Sequence, residues 1–397
     1  MRLSADEEAI LAGEGGEGRR WAMELLVALG TIFGAEDLVA IASAQLAGVS
    51  YKTIGDWGLR WLQDVSRTSV VSVPTFLNPA GMDPERWELM GVEREFAAKQ
   101  RSILRTYNRM GVELTCTCTP YLIGHLPAFG DHLAWSESSA VSYANSVLGA
   151  RTNREGGPSA LAAAVIGKTP RYGLHLDRNR RATAIVRVDA DGAPVDYGSL
   201  GVLVGRELGM SVPLFTGIAP RPDDMKSLGA AMAASGAVAL YHVEGTTPEA
   251  ATALEGAARL PTLDVTQRML SEVRESLTET IPARVDLVAL GCPHLSLEEV
   301  EEVAARLRGK RPRRDGPLLW VCTSKEVKKR AHDAVRTIER FGRVLTDTCM
   351  VVAPVESVAR TTATNSGKAA CYLPMDAFCS QRVVYGSTAE LLDLVAE

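Results

Sequence analysis

Seven cysteines carry the most versatile chemistry in this sequence, and no two of them form a CxxC pair. Three stand at predicted boundaries of short apolar strands: Cys118, Cys292 and Cys349. Thiolates from three separate loops can hold an iron–sulfur cluster and leave one iron open, where it would act as a Lewis acid on a C–OH bond. Because free cysteines are often merely buried, spacing alone favours buried thiols over a cluster.

The other cysteines have less distinctive settings. Cys322 lies inside a predicted strand and Cys379 in a mixed apolar segment, so both are predicted to be buried small hydrophobic residues. Cys371 is close to Lys368 and stays open. An odd number of cysteines in a chain of this length argues against a disulfide framework. The six histidines show no zinc-like spacing.

Residues 134–173 crowd many hydrogen-bonding side chains among alanines and glycines. Small residues let backbones approach closely, so that polar groups can converge. A structural helix would show an apolar stripe instead. The alternatives are a buried polar network between helices and an active-site wall, and the density of polar groups, beginning with Glu137 and Ser138, favours the wall.

Three other stretches could bind an anionic ligand. Lys368 follows a Ser-Gly turn among small residues, where its ammonium could meet a phosphate or a carboxylate. Residues 45–55 and 77–83 are turns that follow predicted strands, and ligand groups in α/β proteins lie at the carboxyl ends of strands. Asn78 precedes Pro79 and is therefore expected to be extended. For residues 45–55, an ordinary strand-to-helix connection is an equally good interpretation.

The order of the predicted elements indicates an α/β protein with mostly parallel sheets. Capping boxes at Ser4 and Ser296 mark two helix starts. A glycine-rich stretch, residues 197–205, lacks a phosphate-loop lysine and is interpreted as a packing element. Strands are predicted at 37–44, 69–76, 112–115, 182–188, 212–215, 237–241, 285–290, 318–322 and 349–352, and helices at 20–33, 92–110, 263–276, 325–340 and 389–396.

The composition excludes several classes of protein. The chain has 397 residues, of which 46% are hydrophobic and 23% charged, and its net charge is −5. Without a basic tract, a nucleic-acid partner is not expected. Without an apolar run of about 18 residues, no membrane span is expected. The acidic N-terminus lacks the pattern of a signal peptide, so a cytoplasmic location is predicted.

Taken together, six motifs resemble the aconitase X family and span residues 48–372. They are GVSYKTIGD (48–56), LNPAGMD (77–83), CTPYLIG (118–124), residues 134–175, GCPH (291–294) and NSGKAACY (365–372). The resemblance implies an aconitase-like fold, in which α/β/α subdomains with mostly parallel sheets surround a central cleft. It also implies that residues 1–397 form a catalytic region of three tightly packed domains. The family's swivel domain is expected on a separate small subunit, which makes a heterodimer.

The resemblance also implies a cofactor and a set of site residues. Cys118, Cys292 and Cys349 match the ligands of a [4Fe-4S] cluster, with a [2Fe-2S] cluster and Cys116 as the fallback choices. Gln45 stands where many relatives have a histidine, so a proton-transfer role at that position is in doubt. The positions that match substrate binding are Gly48, Val49, Ser50, Asn78, Pro79, Glu137, Ser138 and Lys368, and Glu137 and Ser138 are also the candidate catalytic residues.

The activity implied by the resemblance is that of a hydro-lyase. The expected substrate is a small phosphorylated hydroxy acid, (R)-5-phosphomevalonate, dehydrated to trans-anhydromevalonate 5-phosphate in the archaeal mevalonate route to isoprenoids. Glu137, if burial keeps it protonated, would donate to the leaving hydroxyl, and a serine of the small subunit would transfer the carbon-bound proton. The alternatives are a cis-3-hydroxy-L-proline dehydratase and a non-catalytic cluster-binding subunit.

Overall fold

The described residues form three parallel sheets flanked by helices, together with one antiparallel pair of strands, as the α/β prediction required. The computed structural model describes residues 1–253, 255, 260–279 and 284–397. Within those residues, no helix combines the length and the apolar character that crossing a membrane demands. The three sheets follow one another along the chain, so each is described in turn.

The first sheet is short and buried. Its strand order is β3-β2-β4, all parallel, with Ala44 of the middle strand opposite Thr75 and Ala134. Strands β1 and β5 pair separately and antiparallel. The elements of this part are α1 Ala5–Leu11, α2 Glu17–Ile32, β1 Leu38–Ala40, β2 Ser43–Leu46, α3 Tyr51–Val65, β3 Thr75–Leu77, α4 Arg94–Arg109, β4 Leu133–Trp135, α5 Ser138–Ser146, α6 Gly157–Ile166 and β5 Lys168–Pro170.

The second sheet has the order β8-β7-β6-β9, again all parallel. Its helices α7 and α8 are rich in small residues and pack against each other. The elements are β6 Ala184–Asp189, α7 Tyr197–Leu208, β7 Pro213–Thr216, α8 Pro222–Gly236, β8 His242–Val243, α9 Ala250–Ala253, β9 Thr262–Thr266 and α10 Gln267–Ser276.

The third sheet has five parallel strands in the order β12-β11-β10-β13-β14. Every residue of the central strand β10 is buried, as expected for a strand covered on both faces. The elements are β10 Leu287–Leu295, α11 Leu297–Leu307, β11 Leu318–Thr323, α12 Lys325–Arg330, α13 His332–Ile338, β12 Arg343–Thr346, β13 Thr361–Thr364, α14 Gly367–Tyr372, β14 Arg382–Tyr385 and α15 Thr388–Val395.

Both capping boxes are confirmed, at Ser4 and at Ser296. The predicted strand 37–44 is wrong in one respect, because two strands of different sheets share it. The predicted strand 349–352 is also wrong. The strand there is β12, and Cys349 lies in the turn that follows it.

Four further predictions need correction. The predicted helix 263–276 begins only at Gln267, because β9 occupies the preceding residues with exposed and buried side chains alternating. The predicted strand 237–241 is displaced, since β8 begins at His242. At 112–115 the structure has no strand but a single bridge between Glu113 and Phe76. The helix predicted at 325–340 is divided into α12 and α13.

The interpretation of residues 197–205 as a packing element is confirmed. They form most of α7, in which Gly201 and Gly205 lie against α8 with no room for a side chain. A Cβ atom on Gly236 of α8 would lie 2.1 Å from the carbonyl oxygen of Gly205 in α7. The Cβ atom would be fixed to the backbone of α8, and the oxygen belongs to the backbone of α7, so neither can move without separating the helices.

The substitution Gly236→Ala is therefore expected to destabilise the fold. Overpacking costs about 3 kcal/mol at the upper end of its range. Alanine returns about 1 kcal/mol of helix propensity, so the free energy of unfolding in urea should fall by about 2 kcal/mol. The matched control is Glu207→Ala on the exposed side of α7, which should stay within about 0.5 kcal/mol of the parent. An unchanged midpoint for Gly236→Ala would contradict the close approach of the helices.

Candidate active site

The carboxyl ends of the first sheet carry many of the predicted site residues. Residues 48–50 follow β2, residues 78–79 follow β3, and residues 137–138 follow β4. Because these three strands are adjacent and parallel, their carboxyl ends lie at one edge of the sheet. Ligands of open α/β sheets bind outside that edge.

The third sheet presents the rest of the predicted residues at its own carboxyl edge. Cys292 lies near the end of β10, Cys349 comes three residues after β12 ends, and Lys368 lies in the first turn of α14, just beyond β13. These three strands are parallel members of one sheet. The predicted site residues of the N-terminal and C-terminal parts therefore lie at the carboxyl edges of two different sheets.

Hydrogen bonds join the two edges directly. The hydroxyl of Ser50 donates to the carbonyl of Val352 at 2.8 Å, and the amide of Ala80 donates to the carbonyl of Asp347 at 2.7 Å. The carboxylate of Asp83 accepts from the amide of Thr346 at 3.0 Å. The turns after β2 and β3 thus lie against the loop that carries Cys349.

The three predicted cysteine ligands lie together at this junction. Cys118, Cys292 and Cys349 are all buried and form no disulfide. A hydrogen bond from the thiol of Cys292 lowers the pKa of Cys349 to about 7. Burial raises the pKa of Cys118, and the nearby charges of Glu137 and then Cys349 raise it further. Strand β10 and the two loops that carry Cys118 and Cys349 therefore bring three sulfur atoms into one buried region.

This donor set fits an iron–sulfur cluster by its chemistry, since thiolates are the usual ligands of such clusters. Within the described ranges, no group of three or more His, Cys, Asp or Glu side chains has the spacing to hold a single metal ion.

The remaining cysteines have different surroundings. Cys116, the fallback ligand, is buried, and the charged groups that act on it are Asp347 and Lys325. Cys322 is fully buried within β11, as predicted. Cys379 is buried, and the ammonium of Lys52 donates to its sulfur at 3.4 Å. Cys371 is only partly buried, on α14.

An ion pair between Lys368 and Glu137 closes the site from both sheets. Glu137 is the N-cap of α5, and its carboxylate accepts from the amide of Ala140 at 2.7 Å and from the hydroxyl of Ser139 at 2.5 Å. The ammonium of Lys368 donates to Glu137 and, at 3.1 Å, to the hydroxyl of Ser138. Both charged groups are buried.

The condition that burial keeps Glu137 protonated is not met in this structure. Burial alone would raise the pKa of Glu137, but the Lys368 ammonium and the hydrogen bonds from Ser139 and Ala140 hold it below its usual value. Burial alone would lower the pKa of Lys368, and the carboxylate of Glu137 raises it instead. Glu137 is therefore an anion paired with a cation.

Among the residues that the structure describes, two buried oxygen atoms near the first edge have no hydrogen-bond partner. They are Oδ1 of Asn78 and Oε1 of Gln45. The other end of the Gln45 amide donates to the carbonyl of Thr117 at 3.2 Å, next to Cys118. Unpaired buried oxygens are costly, so these two are free to accept a hydrogen bond from a ligand.

The turn after β2 has a fixed shape. Gly48 has φ of 76°, which glycine adopts readily. The carbonyl of Val49 accepts from the side chain of Gln100 at 2.9 Å. Ser50 caps α3 by accepting from the amide of Lys52 at 3.2 Å. In the neighbouring turn, Pro79 follows Asn78 and precedes the Ala80 amide that bonds to Asp347.

Sequence analysis gave no role to two polar residues of the site, His294 and Thr117. Both are fully buried. Nδ1 of His294 lies 2.9 Å from the hydroxyl of Thr117, and its Nε2 lies 2.9 Å from the carbonyl of Thr348. Burial lowers the pKa of His294 to about 4, so the ring is neutral. His294 belongs to the motif GCPH and Thr117 lies between Cys116 and Cys118, but only the cysteines of these stretches indicated chemistry.

Comparison with known protein families gives three matches that succeed one another along the chain. The first domain of aconitase X matches residues 1–178, the second domain residues 182–275, and the third domain residues 285–397. Each match contains one of the three parallel sheets.

Individual proteins agree with these matches. The chain is 52% identical to the phosphomevalonate dehydratase large subunit of Methanothermobacter thermautotrophicus over 396 residues, which are 98% of each protein. It is 37% identical to the cis-3-hydroxy-L-proline dehydratase of Pseudomonas aeruginosa over 388 residues, which are 94% of this chain and 66% of that protein.

A solved structure shows the same fold at full length. The holo-form of Thermococcus kodakaraensis aconitase X superposes with a TM-score of 0.91 and 48% identity, and the match covers 100% of both chains. The family matches, the identities and the shared fold give one conclusion: this chain belongs to the aconitase X family.

Proposed function

We propose that this protein is the large subunit of a hydro-lyase that dehydrates (R)-5-phosphomevalonate to trans-anhydromevalonate 5-phosphate. The observation that carries the proposal is the meeting of Cys118, Cys292 and Cys349 beside the buried pair of Glu137 and Lys368. Relatives about 50% identical over nearly the full chain are named phosphomevalonate dehydratase large subunits. The hydroxyproline dehydratases are more distant, at 33% and 37% identity.

The three cysteines are the proposed holders of an iron–sulfur cluster, most simply a [4Fe-4S] cluster. A bound cluster with one open iron supplies a Lewis acid that makes hydroxide a better leaving group. Strand β10 and two loops provide the three buried thiols, and their burial keeps water away from the sulfur atoms. Cys118 is proposed over Cys116, because Cys116 faces the charges of Asp347 and Lys325.

Lys368 and the turn at Gly48 are proposed to bind the anionic groups of the substrate. An ammonium ion attracts phosphate or carboxylate as a point charge, and backbone amides of a turn can surround an anion. Ser138 already bonds to Lys368 at 3.1 Å, which orients the ammonium. The unpaired Oδ1 of Asn78 is proposed to accept from a substrate hydroxyl.

Glu137 is proposed to be ionised in the free protein and to become a proton donor once the substrate is bound. In the free protein Lys368 keeps it ionised. A substrate anion that binds Lys368 would weaken this pair, and the pKa of the buried carboxyl would then rise. Glu137 would then take up a proton from solvent as the substrate binds and could donate it to the leaving hydroxyl. The group that removes the carbon-bound proton is proposed to be a serine of the small subunit.

The partner is proposed to be a small swivel-domain subunit that completes a heterodimer. Activity assays must therefore contain both subunits. With both present, we expect turnover of (R)-5-phosphomevalonate and none of cis-3-hydroxy-L-proline, measured by mass spectrometry of the dehydrated product. Turnover of hydroxyproline alone would replace the proposed substrate. Cluster binding without turnover of either compound would indicate a non-catalytic subunit.

Substituting one of the proposed cysteine ligands should lower the iron content of the reconstituted protein. After anaerobic reconstitution, Cys118→Ala should lose most of the visible absorbance and iron content of the parent protein. Two matched controls, Cys116→Ala and Cys322→Ala, should retain both, because those thiols are buried outside the proposed ligand set. Iron loss in Cys116→Ala with retention in Cys118→Ala would exchange the two assignments.

The ion pair between Glu137 and Lys368 should contribute measurably to the free energy of unfolding. Removing one partner of a buried pair costs about 3–5 kcal/mol, because the other charge stays buried and unpaired. Glu137→Gln and Lys368→Met should each lose this much in urea unfolding at neutral pH. The double variant should lose clearly less than the sum. Strict additivity in the double-mutant cycle would show that the two groups are not coupled.

The same pair should make stability depend on acid pH. The folded-state pKa of Glu137 lies below its ordinary value of 4.5. The stabilisation is therefore fully present above pH 4.5 and is lost as pH falls through the lower, folded-state value. Below pH 4.5, the parent should lose unfolding free energy faster than Glu137→Gln, which has no carboxyl to protonate. Parallel acid profiles would contradict an ionised Glu137.

A further inference from the structure

His294 connects the three segments of the chain that carry Cys118, Cys292 and Cys349. It lies two residues after Cys292, and its backbone amide donates to the sulfur of Cys118 at 3.2 Å. Its ring reaches Thr117, next to Cys118, and the carbonyl of Thr348, next to Cys349, each at 2.9 Å. Within the described part of the chain, every polar atom of this residue has a partner, since its carbonyl accepts from Lys226 at 3.3 Å.

These contacts fix how the ring is protonated. A carbonyl oxygen only accepts, so Nε2 of His294 must carry the hydrogen that it donates to Thr348. In the neutral ring Nδ1 is then an acceptor, and the hydroxyl of Thr117 donates to it. That hydroxyl in turn accepts from the amide of Thr119 at 3.2 Å. The imidazole therefore donates a hydrogen bond to the Cys349 loop and accepts one from the Cys118 loop.

We propose that His294 is a positioning residue, which holds the Cys118 and Cys349 loops at the separation that lets three thiolates share one metal centre. The role is indirect, because the ring bonds to Thr117 and Thr348 and to none of the three sulfur atoms. Groups that orient metal ligands in this way typically contribute about 10–100-fold to metal affinity. This inference rests on the proposed function for the identity of the centre, but its geometry concerns the metal-free protein.

The test uses cadmium as a probe, because Cd²⁺ is a soft ion that binds thiolates without cluster assembly. The metal-free full-length chain is titrated with Cd²⁺, and thiolate-to-cadmium charge-transfer absorbance reports how many thiolates bind and how tightly. Among the described residues no three such side chains are preset around a single ion, so Cd²⁺ must draw the thiolates together. The parent should then bind through three thiolates, and Cys118→Ala through two. His294→Gln and Thr117→Val should weaken binding by about 10-fold or more.

Two features of the design separate positioning from general stability. Thr117→Val removes only the hydroxyl and keeps the shape of the side chain, so it decides the matter if His294→Gln does not fold. The matched control is His242→Gln. His242 is equally buried and its Nε2 lies 2.8 Å from the carbonyl of Arg180, in the second sheet's part of the chain. This variant should bind cadmium like the parent.

Each outcome has one meaning. Parent-like cadmium affinity in folded His294→Gln and Thr117→Val would overturn the inference, as would equal weakening in His242→Gln. A parent that does not bind through three thiolates would also overturn it. If the parent binds cadmium in this way but takes up no iron–sulfur cluster on reconstitution, the proposed function fails and the positioning role of His294 stands.

Discussion

A buried ion pair is the constraint on which the site depends. Glu137 and Lys368 lie 231 residues apart in the sequence and belong to different sheets. Taking two charges out of water costs several kcal/mol per ion, and only good geometry with further hydrogen bonds offsets that cost. The hydroxyls of Ser138 and Ser139 and the amide of Ala140 supply those bonds. The two sheets must therefore dock accurately, because a poor fit would leave either charge alone.

The cysteine loops follow from the same docking. A CxxC motif holds two ligands by local backbone geometry, whereas here the three ligands come from three separate segments of the chain. Positions beside the cysteines accordingly adopt constrained backbone. Gly291 has φ of 103°, and a Cβ there would lie 2.1 Å from the carbonyl oxygen of Cys322. Asp347, two residues before Cys349, has φ of 64°. Such conformations persist where surrounding structure over-determines them.

Local patterns in the sequence predicted the parts of the fold that local physics controls. Capping boxes at Ser4 and Ser296 need only four residues, and both form. Strand β9 was missed because it lies at the edge of its sheet, where exposed Thr262 and Asp264 make a weak apolar signal. The α/β class, the parallel sheets and the grouping of polar residues at strand ends were all readable in this way.

Long-range contacts lay beyond such patterns, and Glu137 shows why. Its carboxyl is buried, and burial alone favours a protonated carboxyl. Its ionisation is decided by Lys368, whose proximity depends on how two sheets pack and on no feature of residues 134–173. The same holds for His294, an ordinary histidine by spacing, whose partners Thr117 and Thr348 meet it only in the folded chain. Residue types at strand ends therefore locate an active site, whereas the charges and bonds within it are set by the docking of its walls.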